Sequence, residues 1–215
     1  MMKPSIFLLL SISFVTVVFA KGVSLDEKKP PFTTKTLLIF GDSLSAGYGL
    51  DRGEDWPSLI KQKLDADKKF DYRVINQSIS GEITQGGALR LPRALVKYSP
   101  DVVVIALGAN DGLRGLSIKK MKANLIKMIR LAKQHQTKIL LVGMKIPPNY
   151  GKRYTQHFEN AFREVSEQEK VALLPFLLDG VAQDSRLFQK DQLHPIDKAQ
   201  PIIMKLVYKH LEPLL

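Results

Sequence analysis

The chain of 215 residues contains no cysteine. That excludes a disulfide framework, a lipid-bearing N-terminal cysteine and thiol catalysis, so any nucleophile is a hydroxyl or a carboxylate. Histidine is scarce, with four in all. No group of His and Cys stands at metal-ligand spacing, and neither a metal nor an organic cofactor is expected. No apolar run is long enough for a bilayer span: Ser5–Ala20 is uncharged but covers 16 residues, against the roughly 20 that a span requires. Acidic residues are in deficit, 21 against 32 basic ones, for a formal net charge of +11. Such an excess attracts anions in general. Lysines such as Lys119, Lys120, Lys122 and Lys127 are nevertheless spread along a helix face without an interleaved aromatic platform, so no nucleic-acid partner is expected.

What is present divides the chain in three. Lys3, followed by the apolar run ending Val18-Phe19-Ala20, has the form of a secretory signal peptide over residues 1–20, cleaved after Ala20. Residues 21–35 (KGVSLDEKKPPFTTK) are charged, proline-bearing and aperiodic, a flexible leader. Residues 36–215 suffice for one well-buried core and are read as a single catalytic domain.

Within that domain short apolar runs alternate with helical periodicity. Strands are predicted at Thr36–Phe40, Tyr72–Ile75, Asp101–Leu107, Lys138–Met144 and Val171–Phe176. Helices are predicted at Trp56–Leu64, Thr84–Lys97, Ser117–His135, Tyr154–Lys170 and Asp197–Leu211. Five alternations, with strands apolar throughout, predict an α/β fold: a five-stranded parallel sheet between two helical layers. Such sheets carry their ligands at the carboxyl ends of the strands, near the point where strand order reverses. The chemistry is therefore sought in the segments that follow the strands.

Four segments stand out there. Gly41-Asp42-Ser43 follows the first strand; read alone, it is also what a capped turn looks like. Gly81, in Ser78-Ile79-Ser80-Gly81-Glu82, follows the second, where glycine lets backbone approach a ligand or simply turns a loop. Asn110, in Gly108-Ala109-Asn110-Asp111, follows the third and either aims an amide into the same mouth or hydrogen-bonds its own turn. Asp191 precedes His194 by three residues in Asp191-Gln192-Leu193-His194-Pro195. A serine nucleophile needs a base, and the base needs a partner that fixes its tautomer; this pair has the residue types for both. Elimination points the same way. His135 ends a basic helix, where a cation suits the dipole, and His157 and His210 fall within helices among polar neighbours.

Taken together, GDSLS at 41–45, the glycine of SISGE at 78–82, GAND at 108–111 and DQLHP at 191–195 resemble, in order, the four blocks of the SGNH (GDSL) hydrolases. Further similar stretches, AGYG at 46–49, NQSISGEITQGGALRLP at 76–92, IPPNYGKRY at 146–154 and LLPF at 173–176, extend the resemblance from about Thr36 to Leu214. The family implies a flavodoxin-like three-layer α/β/α sandwich. It implies Ser43 as nucleophile, His194 as base and Asp191 as its orienter, with an oxyanion hole from the Ser43 and Gly81 N–H groups and the Asn110 side chain. It also implies a mobile Gly112–Ser117 loop, with Gly112 and Gly115 as hinge glycines.

Departures from the family pattern are an alanine at 109 and Lys190 and Gln192 around Asp191; they bear on substrate preference more than on activity. An acyl groove is expected from Leu113, Leu116, Ile146, Pro147, Pro148 and Tyr150. The expected reaction is cleavage of acyl esters and thioesters, with lysophospholipids among the substrates. Carbohydrate O-deacetylation, or non-catalytic phosphate binding, remains the alternative. An exported, periplasmic monomer with transient contact to an anionic membrane surface completes the expectation.

Overall fold

The computed structural model describes residues 34–67 and 69–215. The predicted signal peptide lies outside the described residues, as does the predicted leader except for Thr34 and Lys35.

The first strand, β1 (Lys35–Gly41), begins one residue earlier than its apolar pattern, because Lys35 pairs with Tyr72. It leads into a single helical turn, α1 (Ser43–Ala46), then α2 (Trp56–Ala66), β2 (Tyr72–Asn76), α3 (Thr84–Tyr98) and β3 (Val102–Ala106). A second short helix, α4 (Ala109–Leu113), precedes α5 (Ile118–Gln134), β4 (Lys138–Val142), α6 (Lys152–Glu169), β5 (Ala172–Leu174) and α7 (Gln200–Leu211). All five strands pair in parallel in the order β2-β1-β3-β4-β5. Order therefore reverses between β1 and β3, the switch point at which such sheets open a crevice. Helices α3, α5 and α6 pack in a row on one side of the sheet, and α2 pairs with α7 on the other.

The core explains the strand pattern. Leu37, Leu38, Ile39 and Phe40 of β1 and Val102–Ile105 of β3 are wholly buried, because helices cover both faces. Local chemistry sets several helix ends: Asp55 caps α2 by accepting from the Ser58 N–H at 2.9 Å, with Pro57 in the first turn. β5 stops short of the predicted Phe176, because the Gly143 carbonyl beyond β4 accepts from the Leu177 N–H at 3.0 Å, one residue past the donor that the parallel register would use.

The two short helices, α1 and α4, have no counterpart in the periodicity; four or five residues cannot display a 3.6-residue repeat. Both start directly after a strand at the switch point. Gly112 lies inside α4, where a Cβ would meet the Phe158 ring at 2.6 Å. It serves close packing rather than a hinge, whereas Gly115 (φ +63°) stands in open space.

Candidate active site

Ser43 is the first residue of α1, and three contacts fix its turn. Asp42 Oδ1 accepts the Leu44 N–H at 3.1 Å, Trp56 Nε1 donates to the Leu44 carbonyl at 3.0 Å, and Asn76 Nδ2 donates to the Ser45 carbonyl at 2.7 Å. Trp56 is itself wholly buried, and its backbone N–H donates to Gln200 Oε1 of α7 at 3.1 Å, so the helical layer behind the sheet anchors the serine.

Asp42 is 2% exposed. Burial pushes its carboxyl up to about 7, outweighing the Leu44 N–H and the Asn110 side chain, which favour the charge; nearby Asp111 adds to the rise.

His194 reaches this serine from the opposite side of the cleft. Its Nε2 stands 2.9 Å from Ser43 Oγ, and its Nδ1 stands 2.6 Å from Asp191 Oδ2. The other Asp191 oxygen accepts the backbone N–H groups of Leu193 at 2.9 Å and His194 at 3.0 Å. One carboxylate thus holds both the loop and the ring. The bond to His194, with help from the Leu193 N–H, draws the Asp191 carboxyl down to about 2. Ionised, it only accepts, which assigns the imidazole proton to Nδ1 and leaves Nε2 to accept from the Ser43 hydroxyl.

Gly81 and Asn110 complete the mouth. Gly81 adopts φ +77°, a left-handed conformation that glycine takes at little cost, and its carbonyl accepts from Arg114 Nη2 at 2.9 Å. Asn110 Nδ2 donates to the Glu82 carbonyl at 3.1 Å and carries a second hydrogen. Arg90 of α3 braces the same turn, donating to the Gln77 carbonyl at 2.7 Å and to Glu82 Oε2 at 2.9 Å. Asp111, buried behind Asn110, accepts the Thr84 hydroxyl at 2.6 Å and backbone N–H at 2.8 Å, tying α4 to the start of α3. The roles of Arg90 and Asp111 escape the sequence because each acts across a tertiary contact.

Ser43, Gly81, Asn110 and His194 all line one cavity of about 530 Å³. Leu113, Ile146, Pro147 and Pro148 line it as the sequence predicts. Leu116 and Tyr150 do not. The Tyr150 hydroxyl donates to the Leu113 carbonyl at 2.8 Å, and Tyr154 donates to the Leu116 carbonyl at 3.1 Å, so these residues clip the loop from outside. Burial raises the Tyr154 hydroxyl above its ordinary range. Unanticipated lining comes from Tyr48, Met144, Phe176, Leu178, Phe188 and Leu193. Phe176 and Leu178 were findable, since they follow the fifth strand; Tyr48 and Leu193 adjoin motif residues. Among the described residues no group of three or more acidic or histidine side chains has metal-binding geometry.

Comparison with known proteins agrees with this architecture. The model of the GDSL-like Lipase/Acylhydrolase family matches residues 39–200. Esterase TesA of Pseudomonas aeruginosa is 45% identical over 181 residues, 84% of this chain and 90% of that protein. The Escherichia coli K12 thioesterase 1/protease 1/lysophospholipase L1 is 37% identical over 179 residues, 83% of this chain and 84% of that protein. A crystal structure of the psychrotrophic esterase EstA from Pseudoalteromonas sp., inhibited by monoethylphosphonate, superposes with a TM-score of 0.79 at 42% identity, covering 83% of this chain and 97% of that one. With a serine, a histidine and an acid converging at the switch point of a parallel sheet, and relatives of this kind along most of its length, the chain belongs to the GDSL-like lipase/acylhydrolase family of ester hydrolases.

Proposed function

We propose that the protein cleaves acyl esters and thioesters through an acyl-enzyme on Ser43, with His194 as base and Asp191 as its orienter. The observation that carries this reading is the continuous relay from Asp191 through both ring nitrogens of His194 to the Ser43 hydroxyl, at 2.6 and 2.9 Å. In the first half-reaction Nε2 takes the Ser43 proton as Oγ attacks the acyl carbon, and Asp191 stabilises the resulting imidazolium. The Ser43 and Gly81 N–H groups and the Asn110 amide N–H₂ donate to the developing oxyanion, which is where such donors contribute most. His194 then returns the proton to the leaving alcohol or thiol. In the second half-reaction the same nitrogen activates water against the acyl-enzyme, and Ser43 is regenerated.

The substrate class follows from the walls. Leu113, Ile146, Pro147, Met144 and Phe176 make a largely apolar cavity whose volume suits an acyl chain well beyond acetyl, such as that of a lysophospholipid. This favours acyl-ester cleavage over carbohydrate O-deacetylation, for which a shallow polar site is the better match. Phosphate binding is disfavoured by a serine already hydrogen-bonded to a histidine.

No described helix is long and apolar enough to cross a membrane. The apolar segment at 5–20 supports export and a periplasmic location. The net charge of +11 supports transient contact with anionic lipid, weakening as salt rises. The chain is proposed to act as a monomer. Helix α3 does present Leu89 and Val96, 73% and 71% exposed. Two side chains nevertheless fall far short of the roughly 800 Å² per partner of a stable interface; a dimer in sedimentation at micromolar concentration overturns this.

The test of the reaction is hydrolysis of p-nitrophenyl esters from acetate to palmitate, run beside Ser43→Ala and with fluorophosphonate labelling. Activity that extends past acetate, disappears in Ser43→Ala and coincides with label on Ser43 is the expected result. Turnover of acetate alone points to deacetylation, and retention of activity in Ser43→Ala refutes the mechanism.

A further inference from the structure

Tyr48 has no part in the relay, yet the fold ties it to both of the relay's ends. Its backbone N–H donates to the carbonyl of Ser43 at 3.3 Å. Its carbonyl accepts from Gln189 Nε2 at 2.8 Å, and the backbone N–H of Gln189 in turn donates to the carbonyl of His194 at 2.8 Å. The flanking glycines make this possible. Gly47 and Gly49 adopt φ +72° and +73°, turning the chain back over the serine. At φ +73° Gly49 takes a backbone conformation that side-chain-bearing residues rarely adopt, and a Cβ there would meet the Gln189 amide oxygen at 2.2 Å.

The result is a ring set against a ring. The Tyr48 centroid lies 4.5 Å from that of His194, with the planes 39° apart. Tyr48 is 52% exposed, whereas the His194 side chain is only 20% exposed. The fold thus holds a half-exposed aromatic ring, through hydrogen bonds to its backbone N–H and carbonyl, against a largely covered imidazole. Aromatic side chains attract cations to their faces, and the imidazole gains a proton as Ser43 attacks.

We propose that Tyr48 is a positioning residue for His194, its ring holding the imidazole between Asp191 and Ser43 and favouring the imidazolium formed as Ser43 attacks, with Gln189 as the strap that keeps it there. The inference rests on the assignment of His194 as base. It needs the aromatic face and not the hydroxyl, and it acts on the rate of Ser43 attack more than on substrate affinity.

The experiment compares Tyr48→Phe, Tyr48→Leu and Gln189→Ala with the parent and with Ser43→Ala, by kcat and KM on p-nitrophenyl butyrate and by the rate of inactivation with a small fluorophosphonate. Inactivation reads Ser43 attack without an acyl chain in the groove. Tyr48→Phe is expected within about threefold of the parent. Tyr48→Leu, which keeps bulk without a π face, is expected to lose about tenfold in both kcat and inactivation rate with KM within about twofold. Gln189→Ala is expected to fall between them. Parent-like kcat and inactivation in Tyr48→Leu, or a change in KM alone, overturns the inference and makes Tyr48 a wall of the cavity. An equal loss in Tyr48→Phe also overturns it, by assigning the effect to the hydroxyl. Residual turnover in Ser43→Ala instead removes the mechanism beneath it, so the two failures are distinguishable.

Discussion

Ser43 and Asn110 stand just beyond the carboxyl ends of β1 and β3, strands buried from Thr36 to Gly41 and from Val102 to Ala106. Asp191 and His194, by contrast, hang from a loop between β5 and α7, and Asp191 keeps 38% of its side chain exposed. The first half of the cleft is placed by the packing of a sheet between helices. The second half is placed by hydrogen bonds that span two or three residues, Asp191 to Leu193 and to His194, together with the Gln189 strap. Burial gives the Ser43 half its stiffness and leaves it one strained element, the buried Asp42 carboxyl. Local bonding gives the His194 half its geometry with little stake in the core. Damage to the loop half should therefore cost turnover and spare stability, whereas damage to the strand half should register in both.

The sharpest break of this contrast is Asp191→Asn. The amide cannot hold the imidazole in the required tautomer, so kcat is expected to fall on the order of 10⁴-fold. Because the side chain is exposed, the melting temperature should hardly move near neutral pH. The Asp191 carboxyl titrates below its ordinary value, so the small stability it contributes is present above about pH 4 and lost as pH falls towards 2. Urea melts at pH 7 and pH 3 beside the kinetic assay check both statements.

Asn110→Ala removes a proposed oxyanion donor and is expected to lower kcat by about 100- to 1,000-fold with KM little changed. Its contact with the Glu82 carbonyl is also lost, so a modest destabilisation of about 1 kcal/mol should accompany it in the same melts.

Asp42→Asn tests the strained element directly. Its carboxyl titrates at about 7 in the folded chain against 3.8 as the ordinary value. Between those values the folded protein holds a proton that the unfolded chain has released, so stability falls as pH rises through that window and levels off above it. Asparagine cannot ionise, and the variant should lose this slope, by no more than about 4 kcal/mol across the window. A parallel pH dependence in parent and variant would show that Asp42 ionises freely in the fold.

Tyr150→Phe gives the smallest effect. It deletes the hydroxyl that donates to the Leu113 carbonyl and is expected to cost less than about 1 kcal/mol. The preference among acyl chain lengths should shift slightly, through Leu113, and a chain-length profile reads it.

Much of this was legible in the residues because the signals are local. The alternation of apolar runs and helical periodicity depends on backbone geometry alone, and it located all five strands and the five long helices. Asp191 and His194 were recoverable because their spacing is itself the structure of the turn. Leu116 and Tyr150 occupy the expected loops but lie outside the cavity, Tyr150 bonding the Leu113 carbonyl and Leu116 held through its carbonyl by Tyr154, since sequence tells which loop a side chain sits on and not the side from which it approaches.

By itself, then, the sequence determined the class of fold, the absence of thiol chemistry and the four segments that meet at the cleft, all consequences of residue type and short-range spacing. The tertiary structure decided that α1 and α4 exist, that Arg90, Arg114 and Asp111 brace the turns that carry Gly81 and Asn110, and that Tyr48 lies against His194. Each of these depends on distances between residues far apart in the chain, set by which strand lies beside which in the sheet and not by any local preference.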